Sequence, residues 1–247
     1  MFTDLMNGES GHLLITQKES HLLILRLLIV FQLKFREHFY HGCCILLPSK
    51  FLFCFLLFEN VMHYPMTIAG LERQLPLCKL NDQLQIAAFI MFGDTELTTA
   101  CAQALLDIAP EYDYLLTAEA KSIPLVHEMA RLHGDAKYFL GRKKKKIYMQ
   151  NILEAKVTSI TTEGEQTLFL DGNDAAMMKG KRVLIVDDVI STGQSLLALE
   201  KLAELSGAVI CGKMAVLAEG HAATRDDITV LAPLPLFDAE GNPLPIQ

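Results

Sequence analysis

The first 61 residues contain no alanine, although they hold eight of the thirteen phenylalanines of the 247-residue chain. The apolar blocks Leu22–Val30 and Phe51–Phe58 are both shorter than the roughly 20 apolar residues that a membrane helix needs. The pattern of a secretory signal peptide, with its small-residue cleavage site, is also missing. We therefore expect residues 1–61 to be a non-native or mis-started extension and residues 62–247 to form a globular domain. A weak membrane-associating segment and an appended hydrophobic helix pair remain alternatives for residues 1–61.

The cysteines and the charge exclude several further classes of protein. The six cysteines form no C-x-x-C pair and have no zinc-type spacing with histidine. This favours reduced thiols in a cytoplasmic protein over a disulfide framework or a zinc site. The net charge of −7 argues against general nucleic-acid binding, because nucleic-acid-binding domains are usually basic. We expect neither a nucleic acid nor a membrane as a partner.

The most informative stretch of the chain is residues 182–196. The apolar residues Val183–Val186 have the length and β-branched content of a buried parallel strand, and they lead directly to Asp187 and Asp188. A turn rich in hydroxyls and glycine, Ser191–Ser195, follows and opens a helix. Ligands bind at the carboxyl ends of the strands in open α/β sheets, and a helix N-terminus favours an anion. The order of these features therefore predicts a phosphate at the turn and sugar hydroxyls at the two acids.

Two other classes of protein also place adjacent acids after a buried strand. They are the phospho-acceptor receiver domains and the P-loop NTPases. Neither class requires the Ser-Thr-Gly-Gln-Ser turn, and the chain contains no G-x-x-x-x-G-K-[ST] phosphate loop. The phosphate-and-sugar interpretation is therefore the stronger one.

From Gln83 onward the apolar pattern alternates between helical and strand periodicity. The spacing predicts helices at 95–109, 123–133 and 195–205, and strands at 112–117, 137–142, 183–186 and 209–217. A strand pair is predicted at 157–160 and 166–170, just ahead of the motif strand. This alternation implies an α/β fold with a mostly parallel twisted sheet flanked by helices.

The motif stretch resembles the phosphoribosyl-pyrophosphate (PRPP) motif of the type I phosphoribosyltransferases. That motif has four apolar residues, two acids, two variable residues, then Thr-Gly and a small or polar pair. The resemblance implies the type I phosphoribosyltransferase fold for residues 62–247, with the strand pair as an inserted mobile β-hairpin loop. It implies a catalytic role for Asp187 and Asp188, which would bind the ribose hydroxyls. It assigns the 5′-phosphate to Ser191, Thr192, Gly193, Gln194 and Ser195.

Two further segments are similar to adenine phosphoribosyltransferases in particular. One is a turn after the strand at 112–117, in which Ser122 takes the position of a glycine, and the other is the basic run Arg142–Lys146. Without the resemblance, the basic run would be interpreted as a solvated charged surface or a nucleic-acid patch. The resemblance implies a pyrophosphate-binding role for Glu119, Ala120, Lys121, Ser122, Arg142, Lys143 and Lys146.

The resemblance also implies a function. Phe92 lies in a Phe-Gly-Asp segment similar to a Phe-Arg-Asp segment at the base pocket of adenine-type enzymes, which makes it the candidate base-binding residue. We expect transfer of a 5-phosphoribosyl group from PRPP to a purine base, with adenine first, in purine salvage. Mg²⁺ is the expected cofactor, bound through PRPP with Asp187 and Asp188 as candidate ligands, and the expected assembly is a homodimer. A xanthine, hypoxanthine or orotate phosphoribosyltransferase and a PRPP-sensing regulatory protein on the same fold remain alternatives.

Overall fold

The computed structural model of the chain describes residues 61–158 and 165–246. Ten strands, four α-helices and one 3₁₀ helix follow one another in these ranges. In chain order they are β1 (His63–Ile68), β2 (Leu71–Lys79), β3 (Gln85–Ala87), α1 (Thr95–Asp107), β4 (Tyr114–Ala118), α2 (Ile123–His133), β5 (Phe139–Gly141), β6 (Leu153–Thr158), β7 (Glu165–Leu170), α3 (Gly172–Met178), β8 (Arg182–Ile190), α4 (Gln194–Ser206), β9 (Val209–Glu219), the 3₁₀ helix (Gly220–Thr224) and β10 (Thr229–Leu234).

The central sheet has five strands in the order β10-β9-β8-β4-β5. All four neighbouring pairs in this sheet are parallel. The carboxyl ends of the strands therefore meet at one edge, where the segments after β4, β5 and β8 lie near one another. Apart from Phe92 and the two acids, which lie within β8, these three segments carry the residues for which a ligand-binding role is expected.

Two smaller sheets accompany the central one. Strands β1, β2 and β3 form an antiparallel sheet, and the backbone of Gln85 in β3 exchanges two hydrogen bonds with Phe237, of 2.9 and 3.0 Å. Strands β6 and β7 form an antiparallel hairpin. The hairpin is joined to the end of β5 through Arg142 and Phe169, whose backbones exchange two hydrogen bonds of 2.8 Å.

Both faces of the central sheet are covered by an apolar core. In β8 the residues Val183 and Ile185 belong to one buried cluster, while Leu184 and Val186 belong to the other. This division follows from the period of two in a strand, because successive side chains point to opposite faces. A continuous apolar run is therefore what a strand buried on both faces requires.

The helix ends follow from local chemistry. The Asp94 side chain accepts a 3.0 Å hydrogen bond from the Leu97 N–H and so caps α1. Helix α2 has Pro124 in its first turn and ends at Gly134, whose φ of +87° favours glycine. Within the described ranges, no helix is long and apolar enough to cross a membrane.

Most of the predicted elements are confirmed. The helix at 123–133 has the predicted bounds, and the helices at 95–109 and 195–205 are observed as α1 and α4 with ends shifted by at most two residues. The mostly parallel sheet flanked by helices is confirmed, as is the strand pair that became β6 and β7. Residues 159–164, which include the predicted strand end at 159–160, lie outside the described residues, and so does the expected extension apart from Val61.

Two features differ from the prediction. Strand β8 does not end before the acids but continues to Ile190, because Asp187, Val189 and Ile190 extend the parallel pairing with β9. The acids therefore lie within the strand rather than just after it. The strands β1, β2, β3 and β10 and the helix α3 are additional to the predicted elements.

Candidate functional site

Two adjacent carboxylates form the centre of the site. Asp187 and Asp188, the acid pair, lie in the carboxyl-terminal half of β8 and are only 8% and 3% exposed. The backbone N–H of Asp188 donates a 3.0 Å hydrogen bond to Asp187 Oδ1. Burial of two neighbouring acids is unfavourable unless a partner compensates for their charge.

Ser122 is the main hydrogen-bonding partner of the acid pair. Its hydroxyl donates to Asp187 Oδ1 and lies 3.2 Å from Asp188 Oδ1. Ser122 Oγ also accepts a 2.9 Å hydrogen bond from the Asp188 N–H. The turn after β4 is therefore fastened to β8 through one buried side chain.

The charge of the acid pair is only partly compensated. Burial, followed by repulsion from Asp188, raises the pKa of Asp187 to about 7, and the hydrogen bonds from Ser122 and the Asp188 N–H oppose this rise. Lys121 Nζ lies 3.1 Å from Asp188 Oδ2, yet this oxygen accepts no hydrogen bond from the described residues. Lys121 and Asp188 thus form an ion pair whose geometry is not that of a hydrogen bond. The Lys121 side chain is 62% exposed. A pair of this kind holds Lys121 only weakly.

The segment Ser191–Ser195, the phosphate loop, lies between β8 and α4. Together with Asp187, Val189, Ile190 and Leu196 it lines a cavity of about 110 Å³, several times the space that one water molecule needs. Gly193 precedes the first turn of α4 with a φ of +75°, a conformation that glycine adopts without strain. The cavity therefore opens at a helix N-terminus, where unpaired N–H groups favour an anion.

The basic run forms a second group of charges around Glu119. Arg142 Nη1 lies 3.1 Å from Glu119 Oε1, the Lys143 N–H donates to Oε2 at 3.0 Å, and Lys146 Nζ lies 3.9 Å from Oε1. Burial raises the pKa of Glu119, but the hydrogen bonds from Lys143 and Arg142 outweigh it and lower the pKa overall. Glu119 is therefore an anion that holds these cations together.

The lysines of the basic run point in different directions. Lys145 Nζ lies 2.9 Å from Glu154 in β6 and 4.9 Å from the centre of the Phe169 ring in β7. It thus contacts the hairpin, while Arg142 and Lys146 contact Glu119. The cations of the run are therefore divided between the hairpin and Glu119.

The structure brings most of the predicted site residues together in two connected groups. Asp187 and the phosphate loop share the cavity, and Lys121 and Ser122 contact the acids. The Ser122 hydroxyl is engaged by the acid pair, and the pyrophosphate-binding role expected of Ser122 stays a prediction. Phe92 is 53% exposed and is not among the residues that line the cavity.

Three residues near the site are absent from the sequence prediction. Gln166 in β7 donates a 2.9 Å hydrogen bond to Ser195 Oγ in the phosphate loop. Tyr148 OH accepts a 2.9 Å hydrogen bond from Arg142. A Cβ added at Gly193 would lie 2.8 Å from Arg225 Nη1. All three are distant in sequence from the motif, so no local pattern indicates them.

The acid pair suits a magnesium ion that arrives with its substrate. Within the described ranges, no three acid, histidine or cysteine side chains converge on a metal site. Asp187 and Asp188 nevertheless supply hard oxygen donors, and Asp188 Oδ2 is a buried oxygen without a hydrogen bond. Mg²⁺ is usually held by one or two carboxylates, with substrate oxygens and waters as its other ligands. The residues present fit that mode of binding.

Comparison with known proteins identifies the family. The family model described as "Phosphoribosyl transferase domain" matches residues 95–233, more than half of the chain. The chain belongs to the phosphoribosyltransferase family. The matched range contains the acid pair, the phosphate loop and the basic run, whereas Phe92 lies outside it.

Several curated phosphoribosyltransferases are similar in sequence. The chain is 37% identical to a hypoxanthine/guanine phosphoribosyltransferase of Methanothermococcus okinawensis over 111 residues, covering 45% of this chain and 56% of the relative. It is 31% identical to one of Methanococcus voltae over 137 residues, covering 55% and 68%. A xanthine phosphoribosyltransferase of an Exiguobacterium species is 29% identical over 119 residues, covering 48% and 60%. The chain spans little more than half the length of the first of these relatives.

Solved phosphoribosyltransferase structures share the fold. An adenine phosphoribosyltransferase of Thermoanaerobacter pseudethanolicus has a TM-score of 0.51 at 18% identity, covering 70% of this chain and 95% of that one. One from Leishmania donovani has a TM-score of 0.52 at 17% identity, covering 76% and 82%. At this level of identity the similarity concerns the fold, which is that of the type I phosphoribosyltransferases.

Proposed function

We propose that the protein transfers the 5-phosphoribosyl group of PRPP to a nitrogen of a purine base and releases pyrophosphate. The observation that carries this proposal is the cavity at the N-terminus of α4, which the phosphate loop shares with Asp187. A phosphate in this cavity places the attached sugar beside two carboxylates, which accept hydrogen bonds from its hydroxyls. Membership of the phosphoribosyltransferase family supports the same assignment.

The chain's own residues supply binding and charge rather than a covalent intermediate. In the reaction the bond from C1 of the ribose to the pyrophosphate oxygen breaks, a bond from C1 to the base nitrogen forms, and the proton of that nitrogen passes to the departing pyrophosphate or to water. Lys121, Arg142 and Lys146 lie near the same edge of the sheet and are available to neutralise the departing pyrophosphate. A bound Mg²⁺ would add further neutralisation of that leaving group. The acid pair and the phosphate loop hold the ribose in a fixed position.

The choice of base rests on the relatives. The relatives above 30% identity carry hypoxanthine/guanine in their names, whereas the adenine enzymes are similar at 17–18% identity. We therefore propose hypoxanthine or guanine as the preferred base, ahead of adenine, which is the base that the resemblance implies. Gly93 supports this order, since it replaces the arginine of the adenine-type Phe-Arg-Asp segment. Assembly as a homodimer stays an expectation.

The test is an assay of the purified full chain with PRPP and Mg²⁺. Hypoxanthine, guanine, xanthine, adenine and orotate are supplied singly, and nucleotide and pyrophosphate are measured by chromatography. We expect equal amounts of nucleotide and pyrophosphate with at least one purine and none with orotate. PRPP binding without turnover of any base would favour a PRPP sensor instead. A chain that neither binds PRPP nor turns it over would contradict the proposal.

A further inference from the structure

The Ser122 side chain is buried against the acid pair, which a residue that only binds a ligand does not require. Its side chain is only 1% exposed, and its hydroxyl oxygen contacts a carboxylate oxygen of each member of the acid pair. It also accepts the Asp188 N–H at 2.9 Å. The single proton of this hydroxyl is already directed at Asp187 Oδ1, so no donor is left for a pyrophosphate oxygen.

Its position in α2 strengthens this view. Ser122 is the N-cap residue of α2, where a serine side chain usually accepts a hydrogen bond from an N–H of the first turn. Here no such capping bond is made, because the hydroxyl is directed at β8. The side chain therefore forgoes its usual local interaction and contacts the acid pair instead.

The contact decides which carboxylate oxygens remain for a ligand. Asp187 Oδ1 accepts hydrogen bonds from both the Ser122 hydroxyl and the Asp188 N–H, so it is already satisfied. Asp188 Oδ2, by contrast, is buried and accepts no hydrogen bond from the described residues, and its one charged neighbour among them is the exposed Lys121, at 3.1 Å. Ser122 thus holds both side chains in one arrangement that leaves this oxygen to a ligand that displaces Lys121.

We propose that Ser122 is a positioning residue for the ribose, holding Asp187 and Asp188 so that Asp188 Oδ2 accepts a sugar hydroxyl. This inference rests on the proposed function, since it assumes that the acid pair binds the ribose of PRPP. Under this proposal Ser122 affects the binding of sugar hydroxyls and does not affect the binding of pyrophosphate.

The experiment compares ligands that differ by one group. Binding of ribose 5-phosphate, 2-deoxyribose 5-phosphate and pyrophosphate is measured by calorimetry for the wild-type chain and for Ser122→Ala. The wild type should bind ribose 5-phosphate more tightly than the deoxy sugar. In Ser122→Ala the preference for the hydroxyl should fall by about 10-fold, the usual size of one hydrogen bond to a charged group. Pyrophosphate affinity should not change.

Ser206→Ala is the matched control. Ser206 is also buried and donates a 2.6 Å hydrogen bond to the Ala203 carbonyl, but it lies at the far end of α4, about 18 Å along the helix from the phosphate loop. It should leave all three affinities unchanged. If Ser122→Ala does not fold, Ser122→Cys keeps the volume with a weaker donor and should show a smaller loss of the same preference.

The outcomes separate the inference from the function on which it rests. A wild type that binds neither ribose 5-phosphate nor pyrophosphate contradicts the proposed function itself. A wild type that binds ribose 5-phosphate, with an unchanged hydroxyl preference in Ser122→Ala, overturns the inference alone. Equal losses for ribose 5-phosphate and pyrophosphate also overturn it, because they indicate a pyrophosphate contact or general damage to the turn.

Discussion

Replacement of Asp187 by asparagine should stabilise the ligand-free protein at pH 8 while weakening its binding of PRPP. Burial and repulsion from Asp188 raise the pKa of Asp187 from 3.8 to about 7. Ionising Asp187 in the folded protein therefore costs roughly 4 kcal/mol more than in the unfolded chain once the pH is above 7. Asparagine can still accept the hydrogen bonds from Ser122 and the Asp188 N–H but carries no charge.

The sign and the pH window follow from the direction of the shift. A raised pKa in the folded state means that Asp187 contributes its full stability below pH 3.8 and loses it as the pH rises to about 7. Asp187→Asn lacks this loss. Its stability relative to the wild type should therefore grow by about 2–3 kcal/mol between pH 5 and pH 8.

The measurement is urea unfolding at pH 5 and pH 8, with EDTA and without PRPP, for the wild type and Asp187→Asn. Asp113→Asn is the control, because hydrogen bonds from Arg182 lower the pKa of this exposed acid. Asp113→Asn should destabilise the protein equally at both pH values. A stability difference for Asp187→Asn that is the same at pH 5 and pH 8 would refute the reasoning. PRPP affinity of the same variant should fall at least about tenfold, the loss expected for a charge-assisted hydrogen bond.

Two further predictions concern the pyrophosphate and phosphate contacts. Arg142→Ala should weaken PRPP and pyrophosphate binding by about 10- to 100-fold in calorimetry while AMP or IMP affinity changes little, and Lys144→Ala should have little effect. Arg142 also neutralises Glu119, so in Arg142→Ala the unpaired Glu119 carboxylate repels pyrophosphate. Adding Glu119→Gln to Arg142→Ala should therefore recover part of the lost pyrophosphate affinity. A further decrease in pyrophosphate affinity would contradict this role of Glu119. Gly193 has a φ of +75°, so Gly193→Ala should destabilise the phosphate loop by about 1–2 kcal/mol. The variant should also bind ribose 5-phosphate more weakly. Unchanged binding of ribose 5-phosphate would indicate that the loop does not hold the phosphate.

The sequence predicts the parts of this fold that depend on local chemistry. Strand β8 has a continuous apolar run, and α2 is bounded by Pro124 in its first turn and by Gly134 at its end. The smaller sheet has weaker signals, because Pro65 in β1 and Pro76 in β2 interrupt the pattern expected of strands. One signal was available there, since the Ala69-Gly70 pair forms the two-residue turn between these strands.

The site shows the same division between local and long-range information. The motif places Asp187, Asp188 and the phosphate loop at one sheet edge, because their order along the chain is enough to do so. It does not indicate that Ser122 turns its hydroxyl toward the acids, or that Arg225 approaches Gly193. Those contacts join residues 32 or more positions apart, and only the packing of separate elements determines them.

The charges of the site are paired with one another before any ligand is bound. Glu119 forms ion pairs with Arg142 and Lys146, and Lys121 forms an ion pair with Asp188. A bound PRPP would exchange these internal partners for its own groups, since its pyrophosphate competes with Glu119 and its ribose with Lys121. The gain from each ligand contact is therefore reduced by the internal pair that it replaces.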